Sequence, residues 1–210
     1  HLVILYTPNL DTQADMTATI DCVFAHPNVP PFMAPRLIRA LVMSNPSPAY
    51  VQRVASVFAN NGSGQRGDLK ATVRAILLDP EARNDTASAT SGRLKDPIQH
   101  IASFLRALGS GISAQNQLGW ELSLQAQTPL EPPSVFGYYS PLFRLPSNAS
   151  LAAPEFQIYT PTEAVMRGNL LWRLLTQGGT DAKVDISPSV TAAATSSTAL
   201  IDKADQALLW

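Results

Sequence analysis

The residues that begin and end helices constrain the fold of this chain more than any other feature of its sequence. Ser47-Pro48 and Asp96-Pro97 each join a residue that caps helix N-termini to a proline, which suits the first helical position. Asp68 takes the capping place before a third segment. Apolar residues follow each cap at intervals of three and four, which is the spacing of one buried helix face. The pattern predicts helices over the first half of the chain.

The same rules predict an all-α fold, an array of about seven helices. The second helix contains Pro35, which either begins it or kinks it. The sixth helix, which begins at Thr160 or Thr162, is expected to end at Gly178 and Gly179. The last helix lies in the tail, from Ser197 onward. The apolar stripe of the last helix comprises Leu200, Ile201, Ala204, Leu208 and Leu209. The predicted helices begin near Asp11, Phe32, Ser47, Asp68, Asp96, Thr160 or Thr162, and Ser197.

A long irregular segment is predicted over residues 111–154. It contains the stretch "QTPLEPPSVFGYYSPLFRLPSNAS", which is rich in Pro, Ser and aromatic residues. Such a segment is expected to wrap over the helices rather than to form a module of its own. We therefore expect one helical domain over residues 1–210, with the irregular segment on one face.

Composition excludes several classes of function. With 15 Lys and Arg against 16 Asp and Glu, the chain lacks the excess positive charge with which nucleic-acid-binding proteins neutralise phosphates. No apolar run in the sequence approaches the roughly 20 residues of a membrane-spanning helix. Cys22 is the only cysteine, so neither an intrachain disulfide nor a Cys-based metal cluster can form. We expect no nucleic-acid partner, no membrane span, no metal and no cofactor.

The loop Gly62-Ser63-Gly64-Gln65-Arg66-Gly67 matches the spacing G-x-G-x-x-G of dinucleotide-binding proteins. Such a loop binds a pyrophosphate only when it follows a strand and opens a helix. Here a predicted helix precedes it, and Asp68 stands where a phosphate-binding P-loop has lysine. The loop is therefore predicted to join two helices, with glycine in its turns and Asp68 as the next N-cap.

Two histidines belong to predicted helices. His26 precedes Pro27 at the end of the first helix, where its ring is expected to donate hydrogen bonds to unpaired carbonyl groups. His100 lies beside apolar Ile101 and is expected to be a surface or packed side chain. The sequence shows no set of partners that would make either histidine a metal ligand.

Three segments of the sequence resemble blocks of one bacterial family. The longest is "AHPNVPPFMAPRLIRALVMSNPSPAYVQRVASVFANNGSGQRGDLKATVRAILLDPEAR", and "PPSVFGYYSP" and "LAAPEFQIYTPTEA" follow it in the same order. From about residue 11 to residue 210 the chain resembles the family known as domain of unknown function 1800. The resemblance implies a mainly helical bacterial protein that is secreted or periplasmic. It implies no reaction, so it transfers no catalytic residue to this numbering.

Members of that family are longer than this chain, so the resemblance implies that the 210 residues are the C-terminal half of a larger protein. A surface that packs against the other half would then be exposed. Exposed apolar area favours association with a partner. We therefore expect a homo-oligomer that forms through the first or the last helix.

Candidate functional residues occur where carboxylates and aromatic rings are neighbours in the sequence. Hydrolysis of a glycoside needs two carboxylates across a cleft, and Glu121, Glu131 and Glu155 each lie beside or close to aromatic residues. Helix capping and loop anchoring account for the same carboxylates without any catalytic role. The candidate ligand-binding residues are Trp120, Tyr138, Tyr139 and Arg144.

Two classes of function remain open. The first is a non-catalytic module of the cell envelope or of a secreted protein, which binds a polysaccharide or a partner protein through residues 120–143. The second is a hydrolase that acts on a glycan through two of the three glutamates. No G-x-S-x-G or H-E-x-x-H motif indicates another catalytic class. Two carboxylates that face each other in an aromatic cleft would favour the hydrolase.

Overall fold

A computed structural model of the chain describes residues 12–84, 86, 88, 90–109, 111–112, 116–176 and 182–208. These residues form nine α-helices, one 3-10 helix and four short strands, which confirms the predicted all-α class. The chain divides into two compact units, His1–Arg93 and Leu94–Trp210. The single domain expected over residues 1–210 stays a prediction. Among the residues described, none of the helices combines the length and the apolar character that crossing a bilayer requires.

The described helices of the first unit are α1 (Thr12–Ala25), α2 (Val29–Leu41), α3 (Pro48–Ala59) and α4 (Leu69–Leu78). The predicted cap of α1, Asp11, lies outside the described residues. Helix α2 begins earlier than the predicted Phe32, because Pro30 and Pro31 fit the first turn, where no amide hydrogen is needed. Pro35 lies inside α2, so it does not begin the helix.

The predicted caps of α3 and α4 are confirmed. Ser47 accepts a hydrogen bond from the amide of Tyr50 at 3.1 Å, and Asp68 accepts one from the amide of Ala71 at 2.9 Å. Helices of this length are marginal in water, so burial of their apolar faces must supply most of their stability. Their shared core contains Ala34, Ile38, Met43, Tyr50, Val54 and Ile76.

Two polar contacts complete the packing of α3 in the first unit. The Tyr50 hydroxyl is buried and donates to the carbonyl of Ile76 at 2.7 Å. Burial and the negative charges of Asp79 and Glu81 raise the pKa of Tyr50 to about 12, so the hydroxyl stays protonated. Arg53 donates to both carboxylate oxygens of Asp79, at 2.7 and 2.8 Å. These bonds hold the pKa of Asp79 below its usual value.

The glycine loop joins α3 to α4, as predicted, and a helix rather than a strand precedes it. Gly62, Gly64 and Gly67 have φ angles of +92°, +82° and +73°, a left-handed conformation that glycine adopts without strain. Four amides of residues 62–65 donate to the side-chain oxygens of Asn60 and Asn61 over 2.9–3.2 Å. The amides that would cradle a phosphate in a nucleotide loop are therefore already bonded within the chain.

Arg66 of the same loop caps the end of α1, a helix with no buried residue. Its Nε donates to the carbonyl of Phe24 at 2.9 Å and its Nη2 to that of His26 at 2.8 Å. The prediction that His26 caps this helix is wrong, since its Nδ1 accepts from the amide of Asn28 at 3.2 Å. The fork of the guanidinium reaches two carbonyls together, which an imidazole cannot do. Phe24 also packs edge-on against Phe58, with ring centroids 6.2 Å apart.

The described helices of the second unit are α5 (Pro97–Ala107), α6 (Asn116–Ser123), α7 (Pro161–Thr176), α8 (Ser187–Thr195) and α9 (Ser197–Leu208). A 3-10 helix spans Pro154–Ile158. Strand β1 (Gly111–Ile112) pairs antiparallel with β4 (Ala182–Lys183), and β2 (Arg144–Leu145) pairs antiparallel with β3 (Asn148–Ala152). The core of this unit contains Ile101, Phe104, Leu105, Leu122, Leu170, Leu174 and Ala182.

The sequence correctly predicts two helix starts in the second unit. Asp96 accepts from the amide of Gln99 at 2.8 Å and so caps α5. At the start of α7 the carboxylate of Glu163 accepts from the amide of Thr160 at 3.2 Å and also from its hydroxyl, which identifies Thr160 rather than Thr162 as the cap. The predicted stop at Gly178 and Gly179 lies outside the described residues, as do the side chain of Leu208 and the whole of Leu209.

Two helices, α6 and α8, were not predicted from the sequence. Helix α6 interrupts the segment that was expected to be irregular, and Gly119 at its centre weakens its intrinsic helical preference. Only Leu118 and Leu122, one turn apart, indicate it. Helix α8 buries no residue and therefore has no apolar stripe to recognise. Its signal is Ser187-Pro188, the same dipeptide that begins α3.

We expect Gly67→Ala to destabilise the protein more than Gly64→Ala. Both substitutions force an alanine into a left-handed conformation, at about 1–2 kcal/mol each. An added Cβ at Gly64 meets nothing within 4 Å, whereas at Gly67 it collides with the ring of Phe24. Displacing that ring costs about 1 kcal/mol further through its lost contact with Phe58. Urea denaturation followed by circular dichroism measures the difference.

The Phe24→Ala background tests whether the ring causes the excess. With the ring removed, the two glycine substitutions should destabilise by equal amounts, as expected when a double-mutant cycle removes the only coupling. An excess at Gly67 that persists without Phe24 would contradict the proposed packing of α1.

Candidate functional site

The aromatic loop, residues 130–143, contributes most of the walls of a cavity of about 490 Å³ that we call the aromatic cavity. Phe136 and Leu142 line it and remain 80% and 75% exposed. None of its described wall residues carries a carboxylate, an ammonium or a guanidinium group. The walls are Pro133, Ser134, Phe136, Gly137, Tyr138, Tyr139, Ser140, Pro141, Leu142 and Gln157.

Hydrogen bonds within the loop set the shape of this cavity. The amide of Gly137 donates to the carbonyl of Ser134 at 3.1 Å, closing a turn in which Gly137 has a φ of +95°. The amide of Ser140 donates to Oε1 of Gln157 at 2.7 Å, which attaches the loop to the 3-10 helix. Among the described residues the Nε2 of Gln157 has no acceptor. This amide group is therefore available to a ligand.

Tyr138 and Tyr139 anchor the loop through their hydroxyl groups. The Tyr138 hydroxyl donates to the carbonyl of Thr128 and accepts from the amide of Glu131 at 3.2 Å. The Tyr139 hydroxyl donates to Oδ2 of Asp96 at 3.3 Å. Both rings are thus oriented by the protein itself. The two tyrosines are the members of the predicted ligand-binding set that the cavity brings together.

Trp120 and Arg144, the other predicted ligand-binding residues, are not walls of the aromatic cavity. Trp120 lies on α6 with its side chain 57% exposed. Arg144 lies in β2, and its Nη1 donates to the carbonyls of Ala149 and Ser150 at 3.0 and 2.9 Å. The guanidinium of Arg144 therefore supports the β2–β3 hairpin.

The three predicted glutamates do not line the aromatic cavity either. Glu121 is 6% exposed and forms an ion pair with Arg173 of α7. Glu155 is 4% exposed within the 3-10 helix. Glu131 is exposed at the start of the aromatic loop. Two of these carboxylates thus lie in the interior of the second unit and the third at its surface.

Sequence reasoning missed Arg167, a buried cation on α7. Its Nη1 donates to the carbonyl of Lys95 at 3.0 Å, and its guanidinium lies 4.5 Å from the ring centroid of Tyr159. Burial lowers the pKa of Arg167 from its ordinary value, and the charge of Asp96 opposes that shift. A signal was present, because Arg167 shares the helix face of the buried Leu170.

The chain matches one protein-family model over nearly its whole length. In the described part of the chain, no group of three or more His, Cys, Asp or Glu side chains is arranged to hold a metal ion. A family model described as protein of unknown function (DUF1800) matches residues 5–209. The chain belongs to the DUF1800 family. The resemblance found in the sequence is therefore confirmed over nearly the whole DUF1800 chain.

Comparison with individual proteins adds no function to the DUF1800 assignment. No curated protein matches the chain, and no solved structure matches it. The description of the DUF1800 family names no reaction, ligand or partner. The function of this DUF1800 chain has to be inferred from its own cavities and side chains.

We expect Glu121→Gln to lower the stability of this DUF1800 chain while Glu131→Gln leaves it unchanged. The first substitution removes the partner of Arg173 inside the protein and should cost about 1–3 kcal/mol. The second alters an exposed carboxylate and should cost less than about 0.5 kcal/mol. Thermal and urea unfolding of both variants measure these free energies. Equal stability of the two variants would show that the Glu121–Arg173 pair contributes nothing.

Proposed function

We propose that this DUF1800-family chain is a non-catalytic module of a secreted or periplasmic bacterial protein and that it binds a neutral polysaccharide in the aromatic cavity. The composition of the cavity walls carries the proposal, since they offer aromatic rings, hydroxyls and a carboxamide without a charged side chain. Sugar rings have apolar C–H faces and polar edges, and walls of this kind complement both.

The orientation of the tyrosines supports a preformed binding site. Tyr138 is bonded to Thr128 and Tyr139 to Asp96, so these rings need no reordering when a ligand arrives. Walls that are already ordered lose little conformational freedom on binding, which favours affinity. The Nε2 of Gln157 has no acceptor among the described residues. It therefore provides a hydrogen-bond donor that fixes the orientation of a sugar hydroxyl.

A partner protein of the cell envelope is the second ligand that the same loop supports. Leu130 and Val135 are 97% and 96% exposed and extend the apolar surface beyond the cavity walls. An apolar surface of this kind is typical of a protein interaction site. A polysaccharide would contact the cavity alone, whereas a protein would also cover these two side chains.

The hydrolase alternative is the weaker proposal. Hydrolysis of a glycoside requires two carboxylates on opposite sides of the scissile bond. Glu121 is paired with Arg173, Glu155 is buried, and neither lines the aromatic cavity. The positions of these carboxylates therefore support binding over catalysis.

We expect Phe136→Ala to weaken binding of a neutral glucan or xylan about tenfold, because it removes one aromatic wall whose contact contributes about 1–2 kcal/mol. Isothermal titration with soluble glucan, xylan and polygalacturonate measures the affinity and the preference for uncharged chains. Trp172→Ala is the matched control, since Trp172 is 68% exposed but is not a wall of the cavity.

The same titration distinguishes the alternatives. Absence of binding to every neutral polysaccharide, or equal losses in the Phe136 and Trp172 variants, would refute the carbohydrate proposal. A loss of glycan binding in Leu130→Asp equal to that in Phe136→Ala would favour a broader surface. Release of reducing ends that disappears in Glu131→Gln would favour the hydrolase.

We also propose that the chain self-associates through α1. Met16, Ile20, Val23 and Phe24 are 40–57% exposed on this helix, and α1 has no buried residue. Sedimentation velocity over a hundredfold range of concentration should show association in the native chain that Ile20→Asp abolishes. Val165→Asp, at a 60% exposed position of α7, is the control and should leave association unchanged. A native chain that stays monomeric throughout would refute the proposal.

A further inference from the structure

A second cavity of about 490 Å³ lies among α5, α7 and α9 of the second unit. It is distinct from the aromatic cavity, with which it shares none of its described wall residues. Its walls combine two kinds of side chain, and we call it the cationic cavity. Lys95, His100, Ser103 and Arg106 supply polar groups, and Phe104 and Leu171 supply apolar surface.

The charged side chains among the described walls of the cationic cavity are all positive. Lys95 and Arg106 each bring a positive charge, and no carboxylate is among the described walls. Within the described residues, neither cation forms an ion pair. Two unpaired cations around one cavity create a positive potential that attracts anions.

Helix stability does not explain the position of Lys95. Lys95 directly precedes Asp96, the N-cap of α5, and a positive charge near a helix N-terminus opposes the helix dipole. Arg106 lies in the last turn of α5, where the dipole favours a cation. The charge of Lys95 therefore destabilises the start of α5, and a bound anion would offset this effect.

His100 lies between these cations in the sequence and lines the same cavity. Burial lowers the pKa of His100, and the positive charges of Arg167 and Lys95 lower it further. The imidazole is therefore neutral at pH 7 and offers one N–H donor. Ser103, one turn along α5, offers a hydroxyl donor beside it. Two neutral donors and two cations together complement an oxyanion.

We propose that the cationic cavity binds an organic anion that has one carboxylate or phosphate group and an apolar body. The positive charges of Lys95 and Arg106 attract the oxyanion, His100 and Ser103 offer it hydrogen-bond donors, and the body packs against Phe104 and Leu171. The cavity volume supports an organic molecule rather than an inorganic ion, because it lies within the range of roughly 300–1,000 Å³ found for small-molecule sites.

Isothermal titration of the whole chain with phenyl phosphate, benzoate, benzyl alcohol and inorganic phosphate tests the proposal. Phenyl phosphate or benzoate should give saturable 1:1 heat at millimolar concentration, and the tighter of the two identifies the preferred oxyanion. Benzyl alcohol lacks the charge and should give no saturable heat. Binding should weaken as salt concentration rises, because salt screens exposed charges.

Variants assign the binding to this cavity. Lys95→Ala and Arg106→Gln should each weaken it about threefold or more, and the double variant should abolish detectable heat. Lys70→Ala and Arg74→Gln remove exposed cations of α4 and are the matched controls, with unchanged affinity. The controls also keep the net charge equal to that of the test variants.

Three results would overturn the proposal. The first is no saturable heat from either organic anion at millimolar concentration. The second is an equal loss of affinity in the α4 controls, which would indicate non-specific attraction to the whole chain. The third is inorganic phosphate binding as tightly as phenyl phosphate, which would remove the role of the apolar walls. Circular dichroism of each variant establishes that it is folded before titration.

Discussion

The Asp96 carboxylate connects two parts of the second unit by accepting hydrogen bonds from both. Its Oδ1 accepts from the amide of Gln99 and begins α5, while its Oδ2 accepts from the hydroxyl of Tyr139 in the aromatic loop. Asp96 is 8% exposed, and a buried carboxylate requires such donors because an unsolvated charge is costly. The aromatic cavity depends on Tyr139, and the cationic cavity depends on α5. Both cavities therefore depend on this one side chain.

The parts of the fold that could be predicted from the sequence are those set by local chemistry. Ser47, Asp68 and Asp96 each bond an amide three residues ahead, and that bond can form in any chain that carries the same short pattern. Helices α6 and α8 lack strong local signals. Helix α6 is stabilised by Leu122, which packs in a core formed with α5 and α7. Such long-range packing overrides weak local preference and cannot be read from a short window.

The candidate sites show the same division between local and long-range information. The sequence predicted Tyr138 and Tyr139 as ligand-binding residues, because they lie in a Pro-rich aromatic segment, and both line the aromatic cavity. That they bind a ligand stays a prediction. Adjacency in the sequence did not reveal that Glu121 forms an ion pair with Arg173, on a different helix. Nor could it reveal that Lys95, which precedes the N-cap of α5, and Arg106, in the last turn of that helix, line one cavity. These arrangements arise only when the helices pack.

The attachment of α1 through Arg66 has a consequence for the order in which the first unit opens. Because α1 has no buried residue, separating it from the unit exposes little apolar surface and costs little free energy. Helices α2, α3 and α4 share a buried core, so separating any of them exposes more apolar surface and costs more free energy. Amide hydrogen exchange should therefore divide the unit into two cooperative parts, with α1 exchanging through sub-global opening and α3 only through complete unfolding. When α1 separates from the unit, the Arg66 guanidinium loses both of its carbonyl partners. The glycine loop should therefore open together with α1.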